Sequence, residues 1–551
     1  MIPVEQWQPA DGLTLEPNAM KAVLEQDKCL ALTAGPGAGK TEMLAQRADF
    51  LFRTGTCRYP KRILAISFKV DASTNLKERV KRRCGKELSS RFDSYTFHAF
   101  AKRIIDRFKC VLTGNNALKS GYTIGGQKIT GEQITFDDLV PLAIEILQNS
   151  EIARNAIRQT YSDVFLDEFQ DCTNLQYELI KLAFQDTHVR LTAVGDTKQK
   201  IMAWAGALDG IFQTFAQDFS AVALNMYRNF RSKPVLLRLQ NKIIQRMDPN
   251  SVMPDEQLLG DEGDIILREY NNSSDEAKQV ADLIQKWSSE EKVPLSEIAI
   301  LVSKQADLYT QLIMQELDSR QIPYRNEQQL QDISTEPIAR LIVDYLLCLY
   351  GEKEPNAWIR LEEQLMPFVD DEELEFSQRL YFQDFFSEQK RKVKHAKQTG
   401  NKYLNWWEKV EALLKKLGLE TIVALSPEYE SEPRLNGLIE ETQKHIAELF
   451  GKEQNLIKAL KYFSDDQAVR ILTIHKSKGL EFHSVIMLAV EKETFWGKAD
   501  EERCAFFVGV SRAKQRLLLT YSQQRERPEG HTKPWQINRN KHKEYWDYFE
   551  N

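Results

Sequence analysis

The sequence predicts an α/β protein built on two parallel β-sheets, each covered by helices, with helical insertions. Short apolar runs alternate with segments of helical period, and this alternation is typical of parallel sheets. It occurs in two blocks, which a long stretch of different character separates. At about 150 residues per domain, the 551 residues are enough for three or four domains.

The two blocks define the predicted elements and boundaries. The first has apolar runs at 30–33, 63–68, 164–166 and 191–194, with helical segments at 40–53, 72–83 and 173–184. The second has apolar runs at 298–302, 471–474, 485–490 and 517–520. We predict a first sheet domain at 1–98 and 156–232, interrupted by a small helical insertion at 99–155. We predict a second sheet domain at 233–340 and 465–527, interrupted by a helical insertion domain at 341–464. The tail at 528–551 stays unassigned.

The composition is that of a folded protein, with 42% apolar and 28% charged residues. The net charge of −6 gives no bulk signal for a nucleic-acid or membrane partner, so a polyanion site must be a local patch. Seven cysteines without a C-x-x-C pair favour a reducing, cytoplasmic location. The first residues lack a basic leader followed by an apolar run, and we expect neither export nor a membrane span.

A glycine-rich segment, Ala34-Gly35-Pro36-Gly37-Ala38-Gly39-Lys40-Thr41, lies between a predicted strand and a predicted helix. This position is typical of a phosphate-binding loop, in which glycines let backbone N–H groups turn toward phosphates. Lys40 neutralises phosphate charge, and the Thr41 hydroxyl suits Mg²⁺. An incidental glycine-rich turn is the alternative, and the agreement of strand, loop and helix argues against it. The segment predicts binding of ATP or GTP.

A second motif, Val164-Phe165-Leu166-Asp167-Glu168-Phe169-Gln170-Asp171, separates hydrolysis from phosphoryl transfer. The apolar strand delivers Asp167 to hold Mg²⁺ through water, and Glu168 is placed to polarise the water that attacks the γ-phosphate. The alternative is a solvated acidic turn at a strand end, which is less favourable beside Lys40. The motif predicts nucleotide hydrolysis.

Further segments follow in the order typical of one family. They are Ile66-Ser67-Phe68, Thr96-Phe97-His98-Ala99-Phe100, Val194-Gly195-Asp196-Thr197-Lys198-Gln199 with Ala203-Trp204-Ala205-Gly206-Ala207, Asn229-Phe230-Arg231-Ser232, residues 473–482, and Val508-Gly509-Val510-Ser511-Arg512-Ala513. With the two motifs above, the sequence resembles the UvrD/Rep family of superfamily 1 DNA helicases from about residue 30 to about residue 520. The resemblance implies two RecA-like parallel-sheet motor domains with helical insertion domains, acting with ATP and Mg²⁺.

The resemblance also implies roles for single residues. The implied catalytic residues are Lys40, Asp167, Glu168, Gln199, Arg231 and Arg512. Nucleotide contacts are implied for the loop from Ala34 to Thr41, for Phe230 and for Glu481, and metal ligation for Thr41 and Asp167. The implied DNA contacts are Phe68, Thr96, His98, Trp204, Thr473 and His475. Core packing stays the alternative for the two aromatic residues, and caps or turns for the four polar ones.

The distance between the motifs along the chain predicts a site shared by two domains. Lys40 and Arg512 lie in different predicted sheet domains, so nucleotide must sit between them. A γ-phosphate attracts Arg231 and Arg512 and closes the cleft, and hydrolysis removes that anchor. The basic run that starts at Lys77 either borders a DNA track or forms a solvated face.

The sequence departs from the family at the base-binding positions. Ala19 stands where members generally carry a glutamine that reads the adenine edge, although Gln6 or Gln8 could substitute. Glu42 stands where many relatives have a basic residue. These changes predict a relaxed nucleotide preference. The insertions are short and 341–464 contains no Gly-Ile-Gly hairpin, so strand translocation is better supported than independent unwinding.

We therefore expect a Mg²⁺- and ATP-dependent DNA helicase or translocase acting on single-stranded or tailed DNA, in DNA repair or anti-phage defence. Its 3′ to 5′ direction is implied by the resemblance alone. The alternative is an ATP-gated regulatory subunit of a nuclease complex, without processive unwinding. A DNA-binding scaffold with an inactive cleft is disfavoured because the implied catalytic residues are all present.

Overall fold

The protein has two lobes, each built on a parallel sheet, and a helical insertion in the second lobe. The computed structural model describes residues 1–67, 70–124, 127–199, 210–326, 333, 336–351, 354–365, 372–398, 405–423, 429, 432–463 and 468–550. No helix within these ranges is long and apolar enough to cross a membrane.

The first lobe contains strands β1 to β8. They are β1 Leu30–Ala34, β2 Arg62–Ser67, β3 Phe92–Thr96, β4 Leu118–Ile124, β5 Gly131–Ile134, β6 Tyr161–Leu166, β7 Arg190–Gly195 and β8 Val222–Met226. A six-stranded parallel sheet runs in the order β3-β2-β6-β7-β1-β8. Its helices are Pro17–Leu24, Lys40–Arg53, Val70–Cys84, Lys86–Ser89, Phe97–Phe108, Leu139–Asn149, Glu151–Thr160, Asn174–Phe184 and Ile211–Asp218.

The second lobe contains strands β9 to β14. They are β9 Asp264–Asn272, β10 Ile298–Val302, β11 Tyr324–Asn326, β12 Val469–Thr473, β13 Phe482–Met487 and β14 Ala513–Gln524. They form a parallel sheet in the order β11-β12-β10-β13-β14-β9. Its helices are Pro234–Met247, Ser273–Ser289, Ala306–Tyr309, Gln311–Ser319, Ala499–Val510 and Lys543–Glu550. The two parallel sheets confirm the predicted fold class.

Each sheet is buried on both faces, which explains the continuous apolar runs of its central strands. Along β2, Leu64 and Ile66 enter one core of the first lobe, while Ile63 and Ala65 enter the core on the opposite face. The second sheet likewise separates two apolar cores. Within these two sheets, the strands that lie outside the predicted apolar runs are β3, β8, β9 and β11, and they are the outermost strands of the sheets.

The insertions differ from the sequence prediction in detail. The small insertion at 99–155, predicted to be helical, also contains the parallel pair β4 and β5. The larger insertion has its own apolar core, which begins with the helix that starts at Pro337 and so precedes the predicted boundary. Its helices are Pro337–Tyr350, Pro355–Leu365, Glu372–Gln398, Trp406–Val423, Glu432–Glu453 and Leu456–Phe463.

The C-terminal tail, unassigned from the sequence, packs on the second lobe. Tyr545 and Trp546 are buried in one of its two cores, and the Trp546 indole N–H donates to the Val490 carbonyl at 3.0 Å. Upstream, the Arg525 guanidinium forms buried ion pairs with Glu491 at 2.7 Å and Glu276 at 2.8 Å. The tail therefore belongs structurally to the second lobe.

Candidate nucleotide cleft and nucleic-acid interface

The glycine-rich loop connects β1 to the helix Lys40–Arg53. Gly37 and Gly39 have φ values of 70° and 78°, which few residues other than glycine adopt readily. A Cβ atom at Gly37 would lie 2.6 Å from the Cβ of Arg231, so the loop also needs glycine there for close approach. Lys40 and Thr41 occupy the first helical turn, where backbone N–H groups and the helix dipole favour an anion.

The two carboxylates of the second motif follow β6 directly. Asp167 is buried, and Glu168 has a left-handed backbone, with φ 52°, that directs the chain away from the sheet. Burial and the adjacent Glu168 carboxylate raise the pKa of Asp167. Burial acts to raise the pKa of Glu168 too, but the cations Lys40, Lys478 and Arg512 outweigh it, so this pKa is lowered. Glu168 therefore carries the negative charge that a general base requires.

Gln170 connects Glu168 to the turn that follows β7. Its amide nitrogen donates to the Glu168 carboxylate at 2.6 Å, and its amide oxygen accepts from the Asp196 backbone N–H at 3.0 Å. Gly195 gives this amide space, because a Cβ there would collide with the Gln170 side chain. The buried amide thus fixes the Glu168 carboxylate and the start of the Thr197–Gln199 turn relative to each other.

Residues 227–232 cross from the first lobe to the second. The Phe230 N–H donates to the Gly37 carbonyl at 2.9 Å, and the Phe230 ring is exposed under the Arg228 guanidinium, 4.8 Å from the ring centroid. The Arg231 guanidinium pairs with the Glu481 carboxylate at 2.6 Å and donates to the Ser511 carbonyl at 3.1 Å. The crossing segment therefore contacts the glycine-rich loop on one side and the second lobe on the other.

Arg512 lies buried on the second lobe, just before β14. Its guanidinium donates to the carbonyls of Val508 and Leu480 at 2.9 and 3.1 Å. Burial and the neighbouring Arg231 lower the pKa of Arg512 to about 9, while Glu168 opposes that shift. Lys40 from the first lobe and Arg512 from the second therefore both favour the ionised form of Glu168, which lies at the cleft between the lobes, 3.9 Å from Lys478.

A buried ion pair joins the two lobes across this cleft. The Lys478 ammonium, on the second lobe, pairs with the Asp171 carboxylate on the first and lies 3.9 Å from the Glu168 carboxylate. Lys478 is 7% exposed and Asp171 is 8% exposed. The low dielectric constant of the surroundings strengthens the attraction within such a pair. Removing one partner is costly for the same reason, because the other charge then stays buried without compensation.

Glu42 and Ala19, the two positions at which the sequence departs from the family, are both held within the first lobe. The Glu42 carboxylate pairs with Arg83 at 2.8 Å and with Arg79 at 3.1 Å. These arginines belong to the basic run on the helix Val70–Cys84, and this contact turns part of that run toward the helix of the glycine-rich loop. Ala19 is buried in a core of the first lobe, while the neighbouring Glu16 accepts from the Tyr227 N–H at 3.4 Å.

Sequence models of two domain families match almost the whole chain. The UvrD/REP helicase N-terminal domain matches residues 15–120 and 115–220, and the UvrD-like helicase C-terminal domain matches residues 224–405 and 379–524. The chain belongs to the UvrD/Rep family of DNA helicases. The predicted resemblance is confirmed, and the two parallel-sheet lobes are the RecA-like domains of this family.

Individual relatives align along nearly the full chain at low identity. DNA helicase II of Escherichia coli is 23% identical, in an alignment covering 93% of this chain and 85% of that protein. The ATP-dependent DNA helicase Rep of Escherichia coli is also 23% identical, with coverage of 93% and 91%. The ATP-dependent DNA helicase PcrA of Bacillus subtilis is 23% identical, with coverage of 93% and 83%.

The DNA contacts implied for the first lobe of this UvrD/Rep-family chain are partly described. Thr96 ends β3, and its hydroxyl caps the next helix by accepting from the Ala99 N–H at 3.2 Å. The His98 ring stacks on Phe136, with centroids 4.1 Å apart. Phe68 and Trp204 lie outside the described residues, as does the side chain of Gln199, whose backbone ends the Thr197–Gln199 turn.

The two implied contacts of the second lobe follow β12. The Thr473 hydroxyl accepts from the Lys476 N–H at 3.4 Å, so it also has a local structural role. Burial lowers the pKa of His475, with Glu502 opposing and Lys304 and Lys478 adding to the shift. His475 is therefore mainly neutral near pH 7 and can act as a hydrogen-bond donor and acceptor.

Sequence reasoning missed four residues of this region: Phe136, Gln170, Asp171 and Lys478. The last three lie inside the motifs already quoted, and the opposite charges of Asp171 and Lys478 were the available signal. Phe136 gave no signal, because a single aromatic residue in a polar turn has no periodic context. Its stacking on His98 is visible only in three dimensions.

Proposed function

We propose that the protein is an ATP-dependent DNA helicase or translocase that is driven by opening and closing of the cleft between its lobes. The observation that carries this proposal is the contact between the lobes, in which Lys478 of the second lobe pairs with Asp171 of the first and lies 3.9 Å from Glu168. Membership of the UvrD/Rep family supports the same activity. ATP is the proposed nucleotide.

The residues around the cleft fit a magnesium nucleotide. The loop offers glycines, a helix N-terminus and Lys40 to the phosphates, and Asp167 is a buried carboxylate next to them. We assign Mg²⁺ binding to Thr41 and Asp167; the ion neutralises phosphate charge when bound. Glu168 accepts the proton of the attacking water, because surrounding cations keep its carboxylate ionised.

The arginines couple hydrolysis to motion. In this structure the Arg231 guanidinium pairs with Glu481 and donates to the Ser511 carbonyl. It must therefore give up at least one of these contacts in order to bind a γ-phosphate. In the proposed cycle Arg231 and Arg512 engage the phosphate from the second-lobe side and draw the lobes together, and hydrolysis releases them. Gln199 senses the phosphate state through the turn that Gln170 fixes, while Phe230 contacts the base and Glu481 contributes a further nucleotide contact.

The proposed DNA track follows the carboxyl ends of strands, away from the nucleotide. In the first sheet, β3 and β2 at one end lead to Thr96, His98 and Phe68, whereas β1 leads to the glycine-rich loop. We propose that Trp204 and Phe68 stack on bases and that Thr96, His98, Thr473 and His475 contact the backbone. Phe136 joins this track through its stack on His98.

The finer properties of the proposal rest on the family resemblance. We propose movement from 3′ to 5′ on single-stranded or tailed DNA, a cytoplasmic location, and work in DNA repair or anti-phage defence. The second candidate function is an ATP-gated regulatory subunit beside a nuclease partner. The compactness of the insertion at 99–155, whose described residues form two strands and a few helices, is the observation that favours it.

The decisive experiment compares ATP hydrolysis and strand displacement in one preparation. We expect single-stranded DNA to stimulate hydrolysis more than duplex, with less stimulation at higher salt, and a 3′-tailed duplex to be opened before a 5′-tailed one. Lys40→Ala should abolish both activities. Lys28→Ala is the matched control, because this exposed lysine precedes the opposite end of β1.

The outcomes separate the two candidates. ATP hydrolysis without strand displacement on any of the DNA substrates would favour the ATP-gated regulatory subunit. Undiminished hydrolysis in Lys40→Ala would remove the glycine-rich loop from the active site.

A further inference from the structure

A tryptophan on the second lobe, Trp496, is held in an exposed position that the function above does not use. Its side chain is 59% exposed, in the loop that follows β13. Single exposed apolar residues are common on protein surfaces, so exposure alone carries no conclusion. The way in which the loop is held is more informative.

The residues on both sides of Trp496 fix the loop backbone. Phe495 is buried in a core of the second lobe, where its ring lies 5.0 Å from that of Tyr545. Gly497 packs against a carboxylate, because a Cβ there would lie 2.5 Å from Glu502 Oε1. The loop therefore presents Trp496 from two anchored neighbours, and the outward position of this side chain is built into the local packing.

Lys304, which lies just after the neighbouring strand β10, contacts the Trp496 backbone and its indole. The Lys304 ammonium donates to the Trp496 carbonyl at 2.6 Å and to Glu502 Oε1 at 2.5 Å. The same ammonium lies 4.1 Å from the centroid of the Trp496 ring, in a cation–π contact. A ring ordered before binding loses little conformational entropy when a ligand stacks on it.

Trp496 lies in one row with the proposed DNA contacts of the second lobe. The strands β12, β10 and β13 are adjacent and parallel, and they are followed by His475, Lys304 and Trp496 respectively. The carboxyl ends of parallel strands lie along one edge of a sheet, where ligands usually bind. Glu502 and Lys304, which hold the Trp496 loop, also act electrostatically on His475. The two sites are therefore neighbours.

We propose that Trp496 is a base-stacking contact for single-stranded DNA, extending the track on the second lobe beyond His475. This inference rests on the proposed function. Stacking on an indole is tolerant of sequence, which suits a protein that moves along a strand. The adjacent Lys498, whose side chain is 86% exposed, lies 3.6 Å from the Glu501 carboxylate and can exchange this surface pair for the phosphates of the same nucleotides.

The test measures the affinity of the full-length protein for a fluorescein-labelled oligothymidylate without nucleotide. Trp496→Ala should weaken binding about 5- to 150-fold, the range for losing one stacked base. Trp496→Phe should restore most of the affinity. The slope of affinity against salt should stay that of the wild type, because stacking releases no counterions. Melting temperatures show that the variants are folded.

Two further variants make the result decisive. Tyr59→Ala removes an aromatic side chain that is 85% exposed near the amino end of β2, and it should bind as the wild type does. His475→Ala reports on the proposed track itself. If His475→Ala weakens binding and Trp496→Ala does not, the inference is overturned and the proposed function stands. If the wild type does not bind the oligonucleotide, the proposed function fails, and the inference with it.

Discussion

Removing one member of the buried ion pair between the lobes should loosen the cleft. Asp171→Asn keeps the side-chain volume but removes the carboxylate that lies closest to the Lys478 ammonium, which is 7% exposed. Breaking a buried pair in this way costs about 3–5 kcal/mol. Glu168 remains 3.9 Å from the ammonium, so we expect the lower end, about 3 kcal/mol.

Hydrogen–deuterium exchange measures this loss locally, without assuming that the whole chain unfolds in one step. A loss of about 3 kcal/mol corresponds to about 150-fold faster exchange, at a factor of ten per 1.4 kcal/mol. We expect this acceleration in the amides around Asp171 and Lys478. Asp261→Asn is the matched control, because it breaks a pair with Arg238 in which both side chains are exposed. Such pairs contribute about 0–1 kcal/mol.

A double-mutant cycle tests the reasoning. Lys478→Met alone should also accelerate exchange, because it removes the ammonium that pairs with the buried Asp171 carboxylate. The double variant Asp171→Asn with Lys478→Met should recover much of the protection, since both charges of this buried pair are then removed together. Wild-type exchange in Asp171→Asn, or strictly additive losses in the double variant, would refute an energetic link between the lobes through this pair.

Three further predictions concern chemistry and pH. Glu168→Gln should bind ATP but lower kcat about 10²–10⁴-fold, the usual contribution of a general base, and a normal kcat in steady-state assays would exclude that role. Arg231→Ala should lower kcat about 10³–10⁵-fold, because the arginine stabilises charge in the transition state. An unchanged rate of hydrolysis in single-turnover measurements would contradict this role. Burial lowers the pKa of His542 below its usual 6.5, so the unfolded chain binds its proton first and folding stability falls as pH drops through that value. His542→Phe should depend less on pH than the wild type in urea titrations from pH 8 to 5, and parallel curves would contradict the assignment.

The strands that the sequence revealed are those covered on both faces. A central strand such as β10 is apolar at every position, and this continuous run is visible without any knowledge of its neighbours. The edge strand β3, in contrast, contains Asp93, which pairs with Arg62 at 2.6 Å on the partly solvated rim. Its alternation of polar and apolar residues is short, and the edge strand β11 has only three residues. Edge strands therefore need the rest of the sheet to be recognised.

The candidate site was predictable where its chemistry is local in sequence. The loop around Lys40 and the carboxylates after β6 each combine several required residue types within eight positions. Partners that meet across the lobes have no such signature, because the pairing of Asp171 with Lys478 depends on the docking of two separately encoded sheets. Trp496 was missed for a related reason, since only the order of the strands places it beside His475.

The division of the proposed site between two lobes has a consequence during synthesis of the chain. The first lobe is complete once the ribosome has passed residue 232, yet Arg512 emerges 280 positions later (512 − 232). At about 5–20 residues per second, the growing chain carries a nucleotide-binding half without its partner for about 15–55 s. During that interval a nascent polypeptide lacks part of the proposed hydrolytic centre, so every truncated product that stops before Arg512 should be inactive in ATP hydrolysis.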